Sequence, residues 1–272
     1  MQSTLDLLDH APDGAWAYLL IDNSAYDGEW LTRREENAPT RFDPLVSKLR
    51  RSQMPFAALW GDLDEPRESA TAPLLIEWQT EKRRLDFLNY IQSAGSGKCA
   101  LSILYSAEPL DSVVKRLRLR MPIALMGDNY LLRYFDTRIL YELLPCLTPH
   151  QAQSFTSLAL AWHYLNRDDE WETLPAAAAD LHDDGLPLEL DDAQQEDFLR
   201  IGSADRIETA IGDLLEDNPL EALSPGERYQ WIRARQQEAI RHQLVEHNGQ
   251  LGFCLQGLQV GRDPRNSRNA GA

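Results

Sequence analysis

LLRYFDTRIL (residues 131–140) sets Arg133, Asp136 and Arg138 into an otherwise apolar window, where an unpaired buried charge is costly. If a strand runs to about Phe135, alternation sends Leu132, Tyr134 and Asp136 to one face and Leu131, Arg133 and Phe135 to the other. One charge then sits on each face. Such residues are catalytic, hold a partner, or tie a strand to the helix that follows.

Just upstream, MPIALMGDNYLLRYFD reads as two strands joined at Gly127-Asp128, a turn-forming pair, so the window is the second arm of a hairpin. Downstream, Ile139, Leu140, Leu143 and Leu144 form a short helical stripe. Thr148-Pro149-His150-Gln151 then has the form of a capping box with proline at the first helical position.

Further out, AWAYLLID (residues 15–22) is a nearly continuous apolar run, as expected of a strand covered on both faces. A short helix near residues 44–51, the runs PFAALWG and LLIEW, a charged helix carrying Leu85, Leu88 and Ile91, and the strand CALSILYS follow in alternation. After CALSILYS, Leu110, Val113, Val114 and Leu117 recur at helical spacing. LALAWHYL and EWETL, separated by Asn166-Arg167-Asp168-Asp169, look like a second hairpin with Trp162 and Trp171 facing each other across it.

Pro175 and the alanine and aspartate run up to Gly185 resemble a linker, and beyond it the pattern is helical. Asp191 with Gln194, Ser203, and Ser224-Pro225-Gly226-Glu227 mark three helix starts, and Asn248-Gly249 marks a C-cap. Tyr229, Trp231, Ile232, Ile240 and Leu244 cannot all face one core from a single helix, which leaves apolar surface either for a partner or for packing between the two lobes. The expected architecture is an α/β (α+β) lobe on a mixed sheet over residues 1–174, an acidic linker over 175–190, a smaller all-α lobe over 191–260 and a disordered tail over 261–272.

At 272 residues with 43% hydrophobic content, the chain can bury a substantial core. Residues 166–223 hold 18 Asp and Glu against three Arg, a net −15 that accounts for nearly all of the chain's −16. That potential repels phosphate backbones and argues against nucleic acid, while leaving a docking surface for a basic partner open. The start of the chain lacks the basic and apolar regions of a secretory signal, and no run is long enough for a membrane span; a soluble cytoplasmic protein is expected. Cys99, Cys146 and Cys254 are widely spaced among apolar neighbours and read as small buried hydrophobes.

Tests for chemistry return fragments. SAGSGKCA resembles a phosphate-binding loop, but Gln92 stands where its first glycine belongs and Cys99 where Ser or Thr belongs. It also precedes a strand, and reads as a plain helix-to-strand turn. Asp22 at a strand end, with Asp62 and Asp64, sketches a small metal-dependent hydrolase or phosphotransferase, yet Ser24 occupies the place of the companion acid. The six histidines show no i, i+4 pair and no G-x-S-x-G elbow exists, so a non-enzyme without cofactor or metal is favoured.

YLLIDNSAYDGEW, SILYSAEPLDSVVKRLR, LLRYFDTRIL followed by LPCLTPHQ, and AWHYLNRDDEWETL, in this order, resemble the type VI secretion effector chaperones, also called adaptors. Their shared region was first catalogued as a domain of unknown function. Arg133, Tyr134, Phe135, Asp136 and Arg138 match the hallmark of that family, with Thr137 in place of its proline. The resemblance implies a bacterial, cytoplasmic, non-catalytic protein that binds one cognate effector and helps load it onto the VgrG spike, in some cases through a PAAR-type tip. The hallmark is then a structural clamp or a contact surface; Trp162 and Trp171 read as core first and as effector anchors second, and helix directions make Tyr229, Trp231, Ile232 and Ile240 further candidates for effector contact. An inhibitor or immunity protein is a third, weaker reading.

Overall fold

A computed structural model describes residues 3–26, 44–61, 63, 69, 71–79, 85–174 and 188–259. The chain divides into two compact units, residues 1–198 and 199–272. In the first, α1 (Thr4–Asp9), β1 (Trp16–Ile21), a 3₁₀ turn at Asn23–Tyr26, α2 (Pro44–Ser52), β2 (Phe56–Ala58) and β3 (Leu74–Glu77) are followed by α3 (Leu85–Gly95) and β4 (Leu101–Ser106). Then come α4 (Leu110–Leu119), β5 (Pro122–Leu125), β6 (Asp128–Leu131), α5 (Thr137–Leu143), α6 (Pro149–Thr156), β7 (Ala161–Leu165), β8 (Trp171–Thr173) and α7 (Asp192–Arg200).

The main sheet has six strands in the order β2-β3-β1-β4-β7-β8, and β5-β6 form a separate two-stranded sheet. Among the described residues every strand pairing is antiparallel, and parallel character is confined there to an isolated bridge between Ile123 and Leu188. The apolar runs reflect coverage of both sheet faces, a property that carries no information about strand direction.

One face carries Leu19, Ile21, Leu74, Ile76, Leu101 and Ile103, packed with Leu7 and Leu8 of α1, Leu45 and Leu49 of α2, and Leu88 and Ile91 of α3. The register places Tyr18, Leu20, Leu104 and Trp162 on the other face. There Phe155 of α6 stacks on Trp162 with ring centres 5.9 Å apart, and Tyr134 meets both rings edge-on.

The exposed edge of β2 is closed by Arg118 of α4, which donates to the carbonyls of Ala58 and Leu59 at 2.8 and 3.1 Å. Arg120 is buried and donates to the Ser154 and Phe155 carbonyls in the last turn of α6, where the helix dipole favours a cation.

The second unit holds α8 (Ser203–Leu214), α9 (Pro225–Arg241) and α10 (His247–Gln259). Ala204, Ile207, Ile211, Leu220, Tyr229, Trp231, Ile232 and Cys254 form its core. The helix starts at Asp191 and Ser224 are capping boxes as expected: Asp191 accepts from Gln194 N at 2.9 Å, and Ser224 from Glu227 N at 3.2 Å. At α8 the cap is Gly202 in a left-handed conformation, so Ser203 is the first helical residue rather than the cap. Its hydroxyl accepts instead from buried Gln236 at 3.0 Å.

Three further expectations are corrected. Asn248-Gly249 is no C-cap: α9 already ends at His242, and Asn248 and Gly249 lie in the first turn of α10. That helix carries Gly249, Gly252 and Gly257, which hide its helical signal. The unit boundary falls after Phe198, because Gln194 of α7 is held by Cys146 O and Gln151 of the first unit. Trp162 and Trp171 do not face each other: Trp171 pairs with Leu165, and one residue of alternation puts Trp162 on the opposite sheet face. The expected linker lies, for residues 175–187, outside the described residues, as does the tail from residue 260.

Candidate functional site

The strand in the opening window stops at Leu131, four residues short of the expected end at Phe135. Its hairpin turns at Met126-Gly127, both at positive φ (53° and 87°), one residue earlier than Gly127-Asp128. Beyond Leu131 alternation ceases, and Tyr134 and Phe135 are both fully buried. Tyr134 donates to Leu117 O at 2.8 Å across the sheet face. Burial pushes its phenol well above the ordinary range, with Arg120 pulling weakly the other way. Phe135 meets Trp60 edge-on at 5.3 Å.

The three charges of the window are spent on two separate ion pairs. Arg133 reaches past the sheet to Asp22, just after β1: Nη2 donates to Asp22 Oδ2 at 2.8 Å and to Ser24 Oγ at 3.0 Å. The other oxygen of Asp22 accepts from Ser24 N at 3.1 Å and from Ser24 Oγ at 2.6 Å. The carboxylate side chain is 5% exposed and the arginine 45%, with the guanidinium carbon 5.6 Å from the Phe135 ring centre.

Asp136 is the N-cap of α5. Its Oδ1 accepts from Arg138 N at 3.1 Å and Arg138 Nε at 3.0 Å, and its Oδ2 from Arg138 Nη2 at 2.8 Å. The carboxylate therefore meets a helix N–H and a guanidinium together, as a strand-to-helix tie requires. Thr137, in the place of the hallmark proline, is buried; it donates through its backbone to Cys99 O at 2.8 Å and through its hydroxyl to Leu165 O at 2.6 Å. Threonine thus joins α5 to the turn that leads into β4 and to β7, bonds that proline could not donate.

Next to this junction, burial pushes the Cys99 thiol up to about 11 against the pull of Arg167 and Arg138. Asp169, between β7 and β8, accepts from Ser96 Oγ at 2.6 Å and Gly97 N at 2.8 Å. SAGSGKCA is accordingly a helix-to-strand turn whose anion cradle is filled by the chain's own carboxylate.

The other candidates divide by burial. Trp162 is closed in the sheet core, Trp171 packs half-buried on the opposite face, and Tyr229, Trp231 and Ile232 are buried in the second unit's own core. The several directions in which Tyr229, Trp231 and Ile232 leave α9 are covered by α8 and α10, which pack against it. Ile240 and Leu244 do remain exposed. Asp62 and Asp64 lie outside the described residues. Among the described residues, no group of three His, Cys, Asp or Glu side chains is placed to hold a metal ion, and no helix is long and apolar enough to cross a membrane.

An antiparallel sheet covered on both faces, with a signature segment tied to β1 on one side and capping a helix on the other, defines an α+β domain whose hallmark charges are internally paired. The family model described as Domain of unknown function (DUF4123) matches residues 17–154, just over half of the chain, and the protein belongs to that family. The match runs from β1 through α6 and includes every residue of the hallmark. Neither the curated proteins nor the solved structures return a match.

Proposed function

We propose that the chain is a non-catalytic adaptor of a bacterial type VI secretion system, acting in the cytoplasm to bind one cognate effector and help load it onto the VgrG spike, directly or through a PAAR-type tip. The observation that carries the reading is the family match over the region containing Arg133, Tyr134, Phe135, Asp136 and Arg138. The geometry supports it from a second side. Asp22, the residue on which a hydrolase or phosphotransferase would depend, has one carboxylate oxygen bonded to Arg133 and the other to Ser24. A nucleophile needs a free oxygen facing substrate, and this carboxylate is engaged in holding the fold.

In this reading the hallmark records how the fold is tied, and the effector is met by surface that the fold leaves exposed, including Ile240 and Leu244. The test is co-expression of the full chain with the product of each neighbouring gene and with the VgrG spike protein. Co-elution of the effector, and loss of its export on deletion of this gene while the spike still assembles, are expected. Export that continues unchanged after deletion, with no co-elution, overturns the reading.

A further inference from the structure

The β5-β6 hairpin carries features that its own folding does not require. Every residue of β6 is exposed. Its tip residue Met126 is 68% exposed, and Tyr130 and Leu131 are 50% and 47% exposed. Met126 also sits at φ 53°, a left-handed conformation that costs a non-glycine residue free energy and that Asn or Gly would take readily. A strained, exposed methionine beside two exposed large apolar residues is a poor choice for a free surface.

The backbone of β6 is open as well. With a two-residue turn, Asp128 and Tyr130 exchange hydrogen bonds with β5, and Leu132 N continues the series to Met121 O at 2.7 Å. The N–H and C=O groups of Asn129 and Leu131 therefore point away from β5, and among the described residues they have no partner. Proteins usually blunt such an edge with lysine, proline, a bulge or a covering side chain. Here β2 is covered by Arg118, whereas β6, Asp-Asn-Tyr-Leu, is short and carries Asp128 but has, among the described residues, no lysine, proline, bulge or covering side chain.

Charge says what fits. Met126 N donates to Gln195 Oε1 at 2.8 Å, which seats the hairpin tip on α7, where Asp192 is exposed one turn away. Asp128 adds a second exposed carboxylate at the start of β6 itself. On the other side of the hairpin, Leu188 already forms an isolated parallel bridge to Ile123 of β5.

We propose that β6 is a docking edge for an extended segment of another protein, which adds as a strand beside Asn129 and Leu131, sets apolar side chains against Tyr130, Leu131 and Met126, and presents Lys or Arg to the acidic rim. Main-chain pairing supplies the affinity and the alternating side chains supply the selection. The inference goes beyond the adaptor reading and does not depend on which polypeptide is held, so failure of effector co-elution leaves it standing, and its own failure leaves the adaptor reading standing.

The test is selection of a randomised octapeptide display library on the full chain, followed by affinity measurement of the enriched peptides on two variants. Leu131→Pro deletes an outward N–H without removing a hairpin hydrogen bond, and Leu131→Lys keeps the N–H but places a positive charge on the edge. Enrichment of peptides alternating Lys or Arg with β-branched or aromatic residues is expected. Binding should weaken at least tenfold in both variants, at unchanged melting temperature, with hydrogen exchange at Asn129 and Leu131 slowed by bound peptide. If Leu131→Pro does not fold, the lysine variant and the exchange measurement decide. No enrichment, enrichment of acidic peptides, or equal affinity for parent and variants overturns the proposal. So does a dimer in sedimentation that the substitutions dissolve, since a second copy of the chain would then be the occupant.

Discussion

Arg133 and Asp22 lie 111 positions apart in the chain and are joined by a 2.8 Å hydrogen-bonded ion pair, with the carboxylate buried and the guanidinium half exposed. The two partners are unequal. Asp22 also accepts both the backbone and the hydroxyl of Ser24, so it organises the end of β1, whereas Arg133 contributes one of several bonds. Asp22→Ala is expected to cost about 2–3 kcal/mol and Arg133→Ala about 1 kcal/mol, because removing the buried acceptor strands its donors and half exposure weakens the pair. Urea unfolding of the two variants measures this, and a larger loss in Arg133→Ala contradicts the assignment.

Asp136 caps α5 and binds Arg138 through both oxygens. Asp136→Ala should lower stability by about 1–2 kcal/mol, a drop of several degrees in melting temperature for a domain of this size. Asp136→Asn keeps a capping oxygen and should recover most of the loss. If Asp136→Ala melts like the parent yet no longer binds effector, the junction is a contact surface rather than a tie.

Two helical glycines should respond to alanine with opposite signs. A Cβ at Gly95, the last residue of α3, would collide with the Tyr26 hydroxyl, which donates to Ile91 O at 3.1 Å. At Gly212 in α8 a Cβ meets nothing within 4 Å. Gly212→Ala is therefore expected to stabilise by about 0.5–1 kcal/mol through helix propensity, and Gly95→Ala to destabilise despite the same propensity gain. Thermal melts of the two single variants decide it.

The thiols of Cys99 and Cys254 are both pushed by burial from 9.0 up to about 11. The folded state therefore holds their protons where the unfolded chain releases them. The stability this contributes is full below pH 9 and is lost as pH rises from 9 through 11. Burial of Tyr18, Tyr26, Tyr134 and Tyr164 acts in the same direction from pH 10 upward. Melting temperature should fall between pH 9 and 11, and fall less in a Cys99→Ala, Cys254→Ala double variant. At pH 8 a thiol reagent should label half-buried Cys146 before either of the others.

What the sequence determined by itself is whatever rests on neighbours within a turn or a strand. The capping boxes at Thr148, Asp191 and Ser224 follow from side chains three residues apart. The strands around Leu19 and Ile103 follow from apolar runs covered on both faces, and Asp136 sits beside the helix that it caps. Only the tertiary structure decided the rest. Nothing local links Arg133 to Asp22, since β1 and the hallmark meet only when the sheet closes. Tyr134 and Phe135 are both buried because the chain leaves the strand at Leu131, after which Tyr134 packs on Trp162 and Phe135 on Trp60, and period-two alternation holds only while a strand continues. The fates of Trp162 and Trp171 turned on one residue of register. Tyr229, Trp231 and Ile232 are all buried because α8 and α10 enclose α9, and α10 itself was hidden behind three glycines whose helical state depends on packing more than on propensity.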